Sequence, residues 1–198
     1  MAAALRSAEH VVDAQIADVD VSGETLEDLI VEQSGLLRIT ARRTVWQRPQ
    51  FAAATIEHCD WSTSRIERGS FDDVRFTHCR LTGWELADSQ VRRVRFEQCK
   101  LDLAAIHETR WRDCEWVRCD LRAADFQGSD LRHVVLRRCD LRNARLLNSR
   151  LEEIDVRGSQ INGLQIEVDK LRHLTIDPTQ LSYFMSLTGI RVQDLDDE

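Results

Sequence analysis

Large apolar side chains recur along this chain at every fifth position. From Phe51 through Phe71, Leu101, Trp111, Phe126, Leu131, Leu141 and Ile161 to Leu171, all 25 positions of the frame are large and apolar. At 42% hydrophobic content a chance run of that length is on the order of one in a billion. The frame reaches back through Trp46, Ala41, Leu36, Val31, Leu26, Val21 and Ile16 to Val11. A second rule holds two residues before each centre. Of the 24 such positions from Ala54 to Asp169, 20 are Ala, Cys, Ser, Gly, Thr or Val, the exceptions being Trp84, Ile154, Leu164 and Asp169. The remaining positions are mostly Arg, Asp, Glu, Gln, Asn and His. Each five-residue unit therefore points one large and one small side chain inward and three outward.

A period of five fits neither the 3.6 of a helix nor the simple alternation of a strand, although the inward pair is spaced by two, as in a strand. It fits a backbone that turns a corner every five residues. Four corners close a square coil of twenty residues, and successive coils stack by strand-type hydrogen bonds about 4.8 Å apart. Cys59, Cys79, Cys99, Cys119 and Cys139 stand twenty apart, five of the six cysteines in one register, as stacked coils require. The expected fold is all-β, a four-sided parallel β-helix of about eight coils, roughly 40 Å long.

The unit of a small residue, a polar residue (often Asp), Leu or Phe, then two polar residues resembles the repeat of the pentapeptide repeat family. Its best copies are Ala124-Asp125-Phe126-Gln127-Gly128, Ser129-Asp130-Leu131-Arg132-His133 and Cys139-Asp140-Leu141-Arg142-Asn143. The resemblance implies a right-handed quadrilateral β-helix. The expected organisation is an N-terminal tail over 1–10 and a repeat region over 11–173. Within it, 11–43 is degenerate (Glu24, Leu29 and Ile39 fill small slots) and 44–173 is regular. A C-terminal cap and acidic tail follow over 174–198. Asp177 is a good helix N-cap and Pro178 a good first helical residue. Leu181, Phe184, Met185 and Thr188 follow at helical spacing and Gly189 suits the C-cap, which predicts a short amphipathic helix over about 178–188 that closes the last coil. Ile190 and Val192 alternate with polar residues beyond it. This C-terminal layout resembles that of the family's topoisomerase-protecting branch: the Qnr quinolone-resistance proteins, their mycobacterial counterpart and the albicidin-resistance protein. That resemblance implies homodimerisation through the helix, with Leu181, Phe184, Met185, Leu187, Ile190 and Val192 as candidate dimer or cap contacts.

Charge changes the picture. The formal net charge is −7, but residues 1–35 carry −7, residues 174–198 carry −4 and the body between carries +4. Nucleic-acid binding is disfavoured by so small a positive excess. No stretch is long and apolar enough to span a membrane, the start carries no signal-peptide pattern, and only two prolines and eight glycines are available for tight turns. A cytoplasmic protein with reduced thiols is expected.

No chemistry surfaces. All six cysteines fall in the small inward slot, without a C-x-x-C pair. His58 and His78 form one outer ladder and Asp113, His133, Glu153 and His173 another, without the closed shell of a metal site. No nucleophile with its base and no phosphate-binding loop is present, so neither an enzyme nor a cofactor is expected. Outer arginines align one coil apart, as in Arg92, Arg112, Arg132 and Arg172 with Glu152 interrupting. Trp84 fills a small slot between Ser64 and Ala104. It either tucks inward at a local bulge or turns outward as a partner contact. Two functions stay open for a non-enzymatic binding protein. One, implied by the resemblance, is engagement of DNA gyrase or topoisomerase IV by DNA mimicry, protecting against topoisomerase poisons. The other is a general protein-interaction scaffold or regulator with another partner.

Overall fold

The computed structural model describes Leu5 and residues 10–189. Its backbone winds into a parallel β-solenoid of about eight turns. Every strand pairs in parallel with the segment twenty residues away: His10 with Ile30, Leu86 with Ile106, Trp116 with Leu136. The four sides are named here by their first central residue. The Val11 and Ile16 faces carry ladders of short strands, and Gln50–Glu57 and Ser70–Thr77 run across the corner between them. The Leu26 face carries a five-stranded ladder from Thr25–Glu27 to Ala105–His107. The Val21 face is held by single-residue bridges, from Asp20–Thr40 to Asp140–Gln160.

The corners are made by one residue type of backbone, not one residue type of side chain. Every fifth residue from Asp13 to Gly163 has positive φ, 31 positions of which 26 are not glycine. Two kinds of corner result. At the first, a turn closes by an i to i+3 bond, as in Glu24 N to Val21 O at 3.2 Å and Ala144 N to Leu141 O at 3.0 Å. An aspartate before the central residue often braces it: Asp60 accepts from Ser62 N at 3.1 Å, Asp125 from Gln127 N at 3.0 Å and Asp140 from Arg142 N at 3.2 Å. The coil's five left-handed glycines (Gly23, Gly83, Gly128, Gly158, Gly163) all sit at such turns. At the second kind the corner is open, and mostly Asp, Arg, His, Gln or Glu takes the left-handed conformation, with Ala53 among the exceptions.

Inside, the large residues stack coil on coil. Phe51 lies over Phe71 at 5.1 Å, Phe76 over Phe96 at 4.7 Å and Phe96 over Trp116 at 5.2 Å, with rings within 11° of parallel. The small slots do more than save space. Their hydroxyls and thiols donate to the carbonyl of the large residue in the coil beneath: Thr44 to Val21 O at 2.8 Å, Ser149 to Phe126 O at 2.7 Å, Ser159 to Leu136 O at 2.6 Å and Cys79 to Ile56 O at 3.2 Å. Small polar residues and cysteine are thus interchangeable here because both fit and both donate.

The regular frame ends at Ile166, one unit before the sequence frame does. Residue 169, in the small slot, is an aspartate that cannot be buried without a partner. Val168–His173 instead winds as a 3-10 helix, and Leu171 is only half-buried. The cap follows as a 3-10 turn, Pro178–Gln180, and an α-helix, Leu181–Leu187. Asp177 and Gln180 form a capping box.

The face turned to the coil differs from the expected Leu181, Phe184, Met185, Thr188 stripe. Gln180 and Phe184 are buried, Tyr183 and Leu187 pack against the core, and Leu181 is 52% exposed. Polar anchoring sets this rotation. Gln180 Nε2 donates to Val156 O at 2.7 Å and Ser159 O at 2.8 Å, Tyr183 Oη donates to Leu164 O at 3.0 Å, and Asp177 Oδ2 accepts from Gly158 N at 2.6 Å. Gln180→Ala and Gln180→Glu should each lower unfolding free energy by about 2–3 kcal/mol, because two carbonyls lose a buried donor that neither alanine nor a carboxylate replaces. Urea denaturation checks this; equal stability of either variant contradicts the cap assignment.

Candidate interaction surface

With the interior filled, function has to be sought on the outer columns and ends. Trp84, weighed as an outward contact, is 1% exposed. Its ring lies 6.3 Å from those of Phe71 and Phe76 and 6.4 Å from Phe96. Ser64 and Ala104, one coil below and one above, leave the volume it takes, so its side chain offers a partner nothing. Among the candidate dimer contacts, Phe184 is spent on sealing the coil, Met185 and Leu187 are half-buried, and Leu181 stands out to solvent. Ile190 and Val192 lie outside the described residues.

All six cysteines are free and buried. Burial raises the Cys114 thiol to about 11 and drives Cys119 up as well, which disfavours the thiolate. His58 and His78 stack at 5.0 Å, His133 Nδ1 meets Glu153 at 2.9 Å, and Arg172 Nε reaches the His173 ring at 3.2 Å. Among the described residues no group of three or more His, Cys, Asp or Glu is placed to hold a metal ion.

Arginines and carboxylates neutralise each other between coils. Arg38 grips Asp18 and Arg48 grips Asp28, each through two bonds of 2.7 Å, so the acids of the first coils are answered by bases one coil up. Later coils hold tighter clusters. Asp155 is 9% exposed and receives Arg157 at 2.8 and 2.9 Å, Arg157 N at 3.1 Å and Arg137 at 2.6 Å. Arg157, with Arg137 adding to it, holds the Asp155 carboxyl well below the usual carboxylate range. Arg122 lowers the Asp120 carboxyl and Arg142 the Asp140 carboxyl.

What this pairing leaves over differs by face. The Leu26 face and the corner after it hold eight carboxylates against four arginines, including Glu27, Asp28, Glu85, Asp88 and Glu108. Val45–Arg48, Arg65–Arg68 and Arg145–Asn148 interrupt that run. The adjacent Val11 face is the reverse in its C-terminal half. From Arg92 onward eight bases meet four acids, and shallow clefts lie along it at Asp72–Arg92–Arg112 and at Arg150–Lys170–Arg172. Sequence reading found the Arg columns but missed which of them lacked carboxylate partners, since that depends on side-chain direction between coils.

The lowered carboxyl pKa values fix a pH dependence. A carboxyl whose folded pKa lies below its unfolded value of about 3.9 stabilises the fold above that pH, and its contribution is lost as pH falls through the folded pKa. Unfolding free energy should therefore be flat above about pH 5 and drop between about pH 4 and pH 2. Asp155→Asn should cost about 2 kcal/mol at neutral pH and shallow that acid slope. Denaturation at several pH values checks this; an unchanged slope contradicts it.

Residues 69–146 match the family model of the pentapeptide repeat region. Comparison with curated proteins gives no match. Among solved structures, the chain is similar to a trypsin-treated variant of QnrB1, a plasmid-mediated fluoroquinolone resistance protein, at 18% identity over 93% of this chain and 97% of that one, TM-score 0.41. It is similar to HetL, a pentapeptide repeat protein involved in heterocyst differentiation regulation from the cyanobacterium Nostoc sp. strain PCC 7120, at 14% identity over 80% and 83%, TM-score 0.28. A third similar structure is the pentapeptide repeat protein Rfr23 from the cyanobacterium Cyanothece 51142, at 10% identity over 89% and 92%, TM-score 0.29. The matched region lies within the unbroken five-residue frame, and residues 69–146 of the chain carry a pentapeptide repeat region.

Proposed function

We propose that this chain is a non-enzymatic protein-binding rod that recognises its partner by the charge of its outer faces. One observation carries the reading. Side chains fill the coil, and the net charge left after pairing between coils is distributed unequally, acidic on the Leu26 face and basic on the C-terminal half of the Val11 face. Such a surface steers and orients a partner of complementary potential. A rigid solenoid also presents its columns with little ordering cost on binding.

A more specific reading names a type II topoisomerase, DNA gyrase or topoisomerase IV, engaged by imitation of a duplex and so protected from drugs. The resemblance of the C-terminus supports it, and so does the acidic excess of the Leu26 face. The interruptions at Val45–Arg48, Arg65–Arg68 and Arg145–Asn148 favour the broader reading. Homodimerisation through the Leu181–Leu187 helix belongs to the same proposal, with Leu181 as its exposed apolar contact.

A gyrase supercoiling assay separates the two. Inhibition of supercoiling, or rescue from ciprofloxacin at lower protein doses, supports the topoisomerase reading, and Glu85→Lys with Asp88→Lys should then reduce the effect at least severalfold. Neither effect at tens of micromolar removes that reading and leaves the general rod, whose partner a pull-down would identify.

A further inference from the structure

At its C-terminal end the coil is closed along the Ile16 face and at the two corners that follow, whereas the Val11 face ends beneath a 3-10 helix and not a strand. On the Ile16 face, Ile154–Asp155 pairs with Leu174–Thr175, and Val156 N donates to Thr175 O at 2.9 Å. Gln180 takes the carbonyls at the next corner and Tyr183 takes that of Leu164. On the Val11 face the chain does not continue as a strand. Lys170 N turns to Glu167 O within the 3-10 helix. The strand Arg150–Glu152 therefore pairs with Asp130–Arg132 beneath it, and above it meets the 3-10 helix Val168–His173, which adds no strand pairing. In lower coils the corner amide of this face donates upward, as in Asp113 N to Arg132 O and His133 N to Glu152 O at 2.9 Å. Glu153 N has no such acceptor among the described residues.

Beside this edge lies a cleft of about 750 Å³, lined by Arg150, Glu152, Glu153, Lys170, Arg172 and His173 among others. Its acids are already engaged: Glu152 with Arg132 at 3.6 Å and Glu153 with His133 at 2.9 Å. Its arginines are not. Neither Arg150 nor Arg172 meets a carboxylate among the described residues, and Arg172 Nε reaches only the His173 ring. An unpaired strand edge is a template for another strand, and this one is flanked by cations that lack counter-charges.

We propose that the Arg150–Glu152 edge takes an extended acidic segment of a partner protein as an added strand. The segment's main chain bonds the free edge, including Glu153 N–H, and its acidic side chains meet Arg150 and Arg172. Main-chain bonds supply the docking and the arginines select acidic over basic segments. The inference rests on the reading of the rod as protein-binding and adds to it a place, a mode and a partner chemistry.

The probe is an alternating Glu-Val octapeptide, titrated into the full chain by fluorescence anisotropy, beside a Lys-Val octapeptide and a Glu-Val octapeptide N-methylated at alternate residues. The plain acidic peptide should bind and weaken with added salt, and the Lys-Val peptide should not bind. Arg150→Glu and Arg172→Glu, both at exposed side chains and checked for unchanged melting, should each weaken binding about tenfold. Hydrogen exchange at Glu153 N–H should be fast in the free chain and slow with peptide. Equal binding by the N-methylated peptide reduces the interaction to charge alone and overturns strand addition. Slow exchange of Glu153 N–H in the free chain shows the edge already occupied by the chain itself, and overturns it too. If the peptide fails while a pull-down captures a partner that Arg172→Glu does not disturb, the protein-binding reading stands and the edge proposal falls.

Discussion

One left-handed residue in every five is the constraint on which the rest of this structure depends. An L-residue held at positive φ costs roughly 1 kcal/mol or more, and the coil accepts this at 26 non-glycine corners. What offsets it is visible in the amides of those same residues. Asp13 N donates to Glu32 O, Arg38 N to Glu57 O, His58 N to Thr77 O and Arg93 N to Arg112 O, each across to the coil above. The conformation that turns the corner is also the one that aims the amide along the rod. Side length, the twenty-residue register and the inward pairing of one large and one small side chain follow from that geometry.

Stacking then makes each column a site of like with like. Aromatic rings lie face to face in two columns, Phe51 on Phe71 and Phe76 through Phe96 to Trp116, and thiols, hydroxyls and ion pairs repeat at the same register. The core accepts a polar cost for this volume. The indole N–H groups of Trp46, Trp61, Trp84 and Trp116 have no partner, whereas that of Trp111 donates to Thr109 Oγ1 at 2.7 Å. Each unpaired donor costs on the order of 1–3 kcal/mol, set against the large apolar area each ring buries. At the ends no coil supplies bonds, so side chains do: Gln180, Asp177 and Tyr183 at the C-terminal end.

The fold was legible because its signal is periodic and apolar. Phe51 to Ile166 could be placed inside, and the cysteine spacing gave the coil length, without any knowledge of side-chain direction. What could not be read was polar and local. Leu171 keeps the frame in sequence but loses it in space because Asp169 cannot enter a small slot. The cap helix is rotated because its buried stripe begins with Gln180, a residue hydropathy counts as outward. Trp84 looked misplaced only because slots were judged one at a time, whereas its room comes from Ser64 and Ala104 in adjacent coils. The candidate surface was the least legible part. Arg150 and Arg172 look like other outer arginines, and only the spatial answer to which carboxylates their neighbours have taken sets them apart.

The most direct test of the corner constraint replaces Leu103, an exposed corner residue with φ of 60°, by D-alanine and by L-alanine through semisynthesis. A D-residue prefers positive φ for the same steric reason that an L-residue avoids it. The D-alanine chain should be more stable than the L-alanine chain by about 1 kcal/mol in urea denaturation. A D-alanine chain equal to or less stable than its L counterpart would contradict the left-handed corner as the element that shapes the coil.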